Sequence, residues 1–568
     1  MKQVLEDALN AGVQEYLQRE KHEEGVFTVA LSRPKQKEHG DYSCNVAMAM
    51  ASKLGIKPRE VAASLIDCVV WPEAVEKTEI AGPGFINIYL LEASEAEVVK
   101  KVIAQGVAYG RVQNKAPKPL NLEFVSANPT GPMHVGHGRG AVVGDALARV
   151  LASQGNDVHK EYYINDAGAQ IGVLADSVWL RIRELSGESI EFPERAYPGE
   201  YIFDIARVIL GKHSIDELRA MEEAARTALI GAEAIAANMD TIRDDLAALG
   251  ITFDLFFSEK ELHDSGKVQM LIEKLKADDL VYLGILPPPK GKEIEDYEPT
   301  EQWLFRTTSY GDDVDRPLAK QDGSPTYFAA DIAYHMDKHE RGFARQIDVW
   351  GADHGGYVSR VQAAMKALTG KKNTPEVLLV QMVNLTRDGK PVRMSKRAGT
   401  FVTLREVVDE VGRDAVRFNF LTRRAESQLD FDLEVAKQKN DENPVYYVQY
   451  AHARVCSILR KAAEDGIAVP DVANTDVSLL VSDEEKTLIA AMLGYPEMLA
   501  TAAERHEAYR VAMFLMRLAA DFHTFYHKQR VVGEDVSLTA ARLLLITAVS
   551  QVLKNGLEIL GVSAPERM

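Results

Sequence analysis

LNLEFVSANPTGPMHVGHGRG, residues 120–140, is the stretch from which the rest of the chain is read. Leu120 to Val125 is β-prone, Pro129, Gly131 and Pro132 crowd a turn, and His134-Val135-Gly136-His137 opens a helix. Strand, loop and helix N-terminus in that order form a junction suited to a phosphate, because the first turn of a helix presents unpaired N–H groups and a partial positive charge. Gly136 and Gly138 lack side chains and would let a base or ribose approach the backbone closely. His134 and His137 are three apart, so they share one face of the helix start and can donate hydrogen bonds to phosphate oxygens as charge develops there. Two histidines at this spacing are weak evidence for a metal, and no metal ligands are assigned.

Outward from that junction, the middle of the chain, about 116–437, alternates strand-like with helix-like segments. AVVGDALARVLASQG reads as a helix ending near Gly155, VHKEYYIND as a strand, IDVWGADHGG and VLLVQMVNLT as buried strands, and YVSRVQAAMKALTG as the helix between those two. The alternation predicts an α/β domain, a Rossmann-like doubly wound parallel sheet whose ligands sit at the carboxyl ends of its strands. The interval 190–280 breaks the strand pattern and reads as an inserted, mostly helical region. Residues 1–112 read as a small α/β unit: a first amphipathic helix, further helices in EHGDYSCNVAMAMASKLG and KPREVAASLIDCV, and a half-buried strand in GPGFINIYL. From 438 to 568 strands vanish and helical patterns over Pro444–Ala463, Asp483–His506, Tyr509–Gln529 and Leu538–Leu560 predict an all-α bundle.

At 568 residues the chain exceeds a single core, and 46% hydrophobic with 26% charged residues is an ordinary globular composition. No apolar run approaches the roughly 18–20 residues of a membrane span, and the acid-containing N-terminus is unlike a signal peptide, so a cytoplasmic protein without membrane contact is expected. Cys44, Cys68 and Cys456 are scattered, with neither disulfide-framework nor zinc-ligand spacing. The net charge of −18 gives no basic arm, so any nucleic acid must bind local basic patches.

A second motif, DGKPVRMSKRAGTFVTL, sets Arg393, Lys396 and Arg397 with Ser395 between a turn at Asp388-Gly389 and Gly399. Such a cationic loop suits a triphosphate. In order within one α/β domain, HVGH and RMSKR resemble the HIGH and KMSKS signatures of class I aminoacyl-tRNA synthetases, and EFVSANPTGPMHVGH is similar to the arginyl-tRNA synthetase version. The resemblance covers essentially the whole chain. RMSKR departs from the consensus at Arg393 and Arg397 but keeps the central cation, Lys396. Family members that lack this lysine carry one just before the His motif, where this chain has Gly131, so one phosphate cation is implied, supplied from the loop.

The resemblance implies ATP-dependent activation of arginine and its transfer to tRNA(Arg), with Mg²⁺ carried by ATP; the cysteine spacing predicts no structural zinc, and a monomer is expected. The resemblance also implies catalytic roles for His134, His137 and Lys396, and ATP contacts from Gly136, Gly138, Gly351, Asp353, His354, Arg393, Met394 and Ser395. Whether Asp353 or His354 makes the nearer contact stays open. Glu123, Ser126 and Asn128 are expected around the α-amino and carboxylate groups of the amino acid. Tyr327 and Asp331, four apart on a predicted helix face, are expected at the guanidinium, whose planar charge calls for a rigid carboxylate. Tyr446, Tyr450 and Arg454 repeat at helical spacing; such residues stack on unpaired RNA bases or form a core stripe. The resemblance favours tRNA contact there and at Met568, and an N-terminal unit that meets the corner of the tRNA. Two other classes fit parts of the pattern. A small-molecule nucleotidylyltransferase would share HxGH, and a catalytically silent RNA-binding paralogue would share the helical domain.

Overall fold

A computed structural model of the chain describes residues 2–22, 27–32, 34, 39–90, 95–286, 300–372, 374–392, 402–467 and 470–568. Two compact units form: residues 1–106 with 458–494 and 521–551, and residues 107–457 with 495–520 and 552–568.

The second unit is built on five parallel strands: β1 (Pro119–Phe124), β2 (Asp157–Ile164), β3 (Leu255–Ser258), β4 (Arg345–Gly351) and β5 (Glu376–Val380), in the order β5-β4-β1-β2-β3. Strands β1 to β3 run outward on one side and β4 and β5 return on the other, so the order reverses between β1 and β4. That switch point, at the strand carboxyl ends, is where an open sheet leaves a crevice. β1 is central, and Leu120, Leu122 and Phe124 are buried in the core. Helix α1 (Val135–Ser153) crosses from β1 to β2, and Gly144 lets it close on the sheet: a Cβ there would lie 2.3 Å from the Phe124 ring.

Two readings are corrected. The interval 190–280 is mostly helical, with α2 (Glu223–Ala248) its longest element, but it contains β3, an edge strand of the core sheet. Its four residues, LFFS, are too short to show a period. VLLVQMVNLT is two strands rather than one: β5 ends at Val380, and Val383–Arg387 joins a separate three-stranded sheet with Lys390–Pro391 and Leu429–Asp432. The break exposes Met382 and lets the chain leave the core sheet beside the crevice. Helix α3 (Tyr327–Glu340) and helix α4 (Leu404–Val411) complete the surroundings of the site.

In the first unit, Leu31–Ser32, Tyr42–Cys44, Phe85–Leu90 and Val75–Ala81 form a four-stranded sheet in that order. The helix expected over residues 38–55 begins only at Val46, because Tyr42–Cys44 pairs with the strand ending at Leu90. Four helices close the chain, Pro444–Glu464, Asp483–Glu504, Tyr509–Lys528 and Val536–Ile559, within a few residues of the expected bounds. The last is long and apolar enough to cross a membrane, with a mean hydropathy of 1.7, which corrects the reading that no segment reaches that length. Its scattered polar residues hide it from a search for unbroken apolar runs. Some 56% of its most apolar stretch is buried inside the protein, as in a core helix.

Candidate active site

The crevice holds a cavity of about 600 Å³ lined on the β1 side by Glu123, Ser126, Asn128, His134, Gly136 and His137. The opposite wall is Asp331, Gly351, Asp353, His354 and Tyr357. Thus most of the residues singled out in sequence converge at one place. Arg393, Met394, Ser395 and Lys396 lie outside the described residues.

His134 is the N-cap of α1. The N–H groups of Gly136 and His137 donate to His134 Nδ1 at 3.1 and 3.4 Å, and the His134 N–H donates to His137 Nδ1 at 3.4 Å. Two imidazoles thereby do what serine and glutamate do in an ordinary capping box. The rings stack at 3.7 Å with 16° between planes. Since Nδ1 accepts in both, a neutral ring carries its proton on Nε2, so each ring is a fixed donor of the same kind. Gly136 eases this packing, because a Cβ would lie 3.0 Å from the His134 ring and press it aside.

Gly138 corrects an expectation. It is buried, and a Cβ there would meet Leu404 at 2.4 Å, so its smallness serves the contact between α1 and α4 rather than a nucleotide. Gly140, with nothing within 4 Å of its Cβ position, is the further glycine that lines the cavity.

The loop from β1 to α1 is held from three directions. Tyr201 donates to the Thr130 carbonyl at 2.8 Å, Asn238 of α2 to that of Pro129 at 2.9 Å, and the Leu404 N–H to that of Met133 at 2.8 Å. Val125 and Ser126 take left-handed backbone angles, φ +71° and +40°, which cost of order 1–3 kcal/mol each in residues other than glycine. The kink aims the Ser126 hydroxyl at Glu123 Oε1, 2.8 Å away, while Ser126 Oγ accepts the Tyr163 N–H at 3.1 Å. Arg139, fully buried on α1, donates to the carbonyls of Gln381, Arg424 and Ser427, and burial pushes its guanidinium down to about 10. It anchors the helix that carries both histidines.

Asp331 receives a hydrogen bond from the Tyr357 hydroxyl, and burial, reinforced by Glu259, Glu123 and Asp348, pushes its carboxyl up to about 7. Glu259, the first residue after β3, is buried too and pushed up to about 7. Glu259 does not line the cavity, but its charge acts on Asp331, and a carboxyl poised to ionise when a cation arrives makes a receptor for positive charge. Glu259 was missed in sequence; its one signal was its place directly after a strand end. Tyr327 shares the helix with Asp331 but is 67% exposed and does not line the cavity; its hydroxyl lies 3.3 Å from the Cβ position of Gly168.

In the helix Pro444–Glu464, Tyr446 and Tyr450 stack at 5.9 Å and the Arg454 guanidinium lies 5.0 Å from the Tyr450 ring centre. All three are partly exposed, unlike a core stripe. The C-terminal segment runs along the same helix, with Gln449 donating to the Ser563 carbonyl at 2.9 Å and His452 Nδ1 3.0 Å from that of Pro565, and Met568 is 52% exposed.

Three family models match the chain: arginyl tRNA synthetase N terminal domain over residues 1–90, tRNA synthetases class I (R), catalytic domain over 98–193, and DALR anticodon binding domain over 448–568. The chain is 50% identical to an arginine–tRNA ligase of Magnetococcus marinus over 95% of each chain. It is also 50% identical to one of Xanthobacter autotrophicus, over 95% of this chain and 94% of that one. The fold is shared with arginyl-tRNA synthetase of Thermus thermophilus, TM-score 0.72 over 100% of both chains at 22% identity. It is shared more loosely with a methionyl-tRNA synthetase of Mycobacterium tuberculosis, TM-score 0.54 over 78% of this chain and 91% of that one at 14% identity.

Proposed function

This chain belongs to the arginyl-tRNA synthetase family, and we propose from that premise how its cleft carries out the family's reaction. The activity is ATP-dependent ligation of arginine to tRNA(Arg). In the first step an arginine carboxylate oxygen attacks the α-phosphorus of MgATP and the bond to pyrophosphate breaks, giving arginyl-adenylate. In the second, a ribose hydroxyl of the terminal adenosine attacks the arginyl carbonyl and AMP leaves. No protein base is needed for the first step, so the enzyme's work is placement and charge stabilisation.

In our reading the Nε2–H groups of His134 and His137 donate to the phosphate oxygens as the pentavalent phosphorus forms, with Lys396 drawing the pyrophosphate away. Gly136 and the Gly351–His354 turn flank the nucleotide. Asp331 and Glu259 take the guanidinium, and Glu123, Ser126 and Asn128 take the α-ammonium and carboxylate. The observation that carries this is the convergence of stacked histidines and the raised carboxyl of Asp331 in one cavity, a phosphate end and a cation end. Residues 1–112 would meet the corner of the tRNA, and 438–568, through Tyr446, Tyr450, Arg454 and Met568, the anticodon. We further propose that the enzyme works as a cytoplasmic monomer, and that arginine activation requires bound tRNA.

The test is aminoacylation of total bacterial tRNA with each amino acid in turn, wild type against Asp331→Ala. Charging with arginine alone, lost in the variant, supports the reading. Charging by Asp331→Ala at the wild-type rate and arginine KM would overturn the guanidinium assignment. Pyrophosphate exchange with and without tRNA tests the tRNA requirement, which full exchange without tRNA would remove.

A further inference from the structure

The sheet register sets three acidic residues side by side. Asp348 of β4 is opposite Glu123 of β1, and Glu123 is opposite Glu161 of β2. Like charges on directly opposed positions destabilise a sheet unless cations offset them. The cations come from α3 and from Arg341, its C-cap, which cover the row. Arg341 binds Glu161 through two bonds of 2.8 Å, and Tyr334 and Asn121 donate to the same carboxylate at 2.9 and 2.8 Å. Arg341 also pairs with Asp337, which in turn pairs with Lys267, so that group of two acids and two bases is balanced.

Glu123 and Asp348 share one base. Lys338, 0% exposed, donates to Glu123 Oε2 at 2.6 Å and to Asp348 Oδ1 at 3.1 Å, with its Nζ 4.3 Å from the Tyr334 ring centre. Burial pushes the Lys338 ammonium down, but Asp348 and Glu123 outweigh burial and hold it above the usual value. The other neighbour of Asp348 adds no charge: His335 Nε2 is 3.6 Å from Oδ2, but burial pushes that imidazole down to about 3, so the ring is neutral. Asp348 Oδ2 has no hydrogen-bond partner among the described residues. Burial pushes the Asp348 carboxyl above its ordinary value, with the Lys338 ammonium opposing that rise; with Asp348 and Glu123 both ionised, the trio is one positive charge short. Of its members only Glu123 lines the cavity.

We propose that Lys338 and Asp348 are positioning residues that hold Glu123 and fix the floor of the amino-acid pocket at one net negative charge, which the substrate's α-ammonium neutralises. This rests on the reading that Glu123 receives that ammonium. Lys338 alone with Glu123 would be a neutral pair and would give the ammonium no net charge to meet. Asp348, buried one strand away, restores the deficit without touching substrate. Replacing the buried trio by neutral groups would lose selection for a free amino group, while at the guanidinium end it would only ease the ionisation of Asp331, whose carboxyl Glu123 and Asp348 help to raise.

The test uses the full-length enzyme with arginine, and with 5-guanidinopentanoate, arginine without its α-amino group, as a competitive inhibitor. Asp348→Asn, nearly isosteric, makes the trio neutral. It should raise the arginine KM about tenfold, the effect of roughly one unit of lost charge interaction. At pH 8, where Asp331 is mostly ionised in either enzyme, the KM for ATP and the inhibition constant of 5-guanidinopentanoate should each move less than about twofold. Lys338→Met leaves Glu123 facing Asp348 without its anchor, and should weaken arginine binding through loss of position although the net charge becomes −2; Asp348→Asn in the same chain removes the repulsion on Glu123, returns the net charge to −1 and should restore part of the binding. An Asp348→Asn enzyme within twofold of wild type for arginine, or one weakened equally toward both compounds, would overturn the proposal whether or not the Lys338 variants fold. Glu123→Gln is the separate control: if it leaves arginine binding unchanged, the assignment of Glu123 itself fails.

Discussion

Arginine affinity should fall with pH through the region near 7, because the carboxylate assigned to the guanidinium has to ionise to bind it. Asp331 is held up to about 7 in the empty site by burial, against an ordinary value of 3.8. The sign follows from linkage. The empty site holds a proton below that pH, the guanidinium favours the ionised form, and arginine binding therefore releases the proton. With a pKa of about 7 the ionised fraction is roughly 0.9 at pH 8 and roughly 0.1 at pH 6, so affinity should drop about tenfold between them from Asp331 alone. Glu259, held up to about 7 as well, can only steepen the fall. Asp331→Asn keeps the shape and removes the charge. Breaking a buried, hydrogen-bonded ion pair by deleting one partner costs about 3–5 kcal/mol, or on the order of 10²–10³-fold in affinity. Isothermal titration of arginine into the full-length enzyme at pH 6, 7 and 8, in buffers of different ionisation enthalpy, reads affinity and proton release together. A flat affinity with no proton release in the wild type, or an Asp331→Asn enzyme within threefold of wild type at pH 8, would refute the reasoning.

Three other outcomes are expected. His137→Ala should lower the rate of adenylate formation by about 10²–10³-fold with the arginine Kd nearly unchanged, since it removes the Nε2–H donor used as charge develops; single-turnover kinetics separate the two. Gly138→Ala should lower the melting temperature, because its methyl meets Leu404 in a packed contact where overfilling costs about 1–3 kcal/mol, and a Leu404→Ala background should recover much of the loss. Asp245 is buried on α2 and burial pushes its carboxyl up to about 6 from 3.8, so the fold loses stability as pH rises from the lower value through the higher. Asp245→Asn should therefore stabilise the enzyme above pH 6, by at most about 3 kcal/mol, with little gain at pH 4, as thermal unfolding at the two pH values would reveal.

Some of this was legible in the sequence because the forces involved are local. The cap at His134 and His137 is a contact three residues long, and the spacing alone put both rings on one face. The apolar positions of β1 and the four C-terminal helices were readable for the same reason, since strand alternation and helical periodicity report which side of an element meets the core. Where the local signal was short or shared it misled: LFFS carries no period, VLLVQMVNLT joins two strands of different sheets, and Gly138 looked like Gly136 although its neighbour is Leu404.

What the sequence determined by itself was the family, the order of motifs and ten of the residues that line the cleft. What only the tertiary structure decided was their charge and their partners. Glu123 and Lys338 are 215 residues apart, and nothing near either in the chain announces the pair. Nor does any local feature say that the Asp331 carboxyl is pushed up to about 7, that the charge of Glu259 contributes to this, or that Asp348, Glu123 and Glu161 form a row. Backbone hydrogen bonds and side-chain periodicity are written along the chain, whereas desolvation and ion pairing depend on what folding brings from far away.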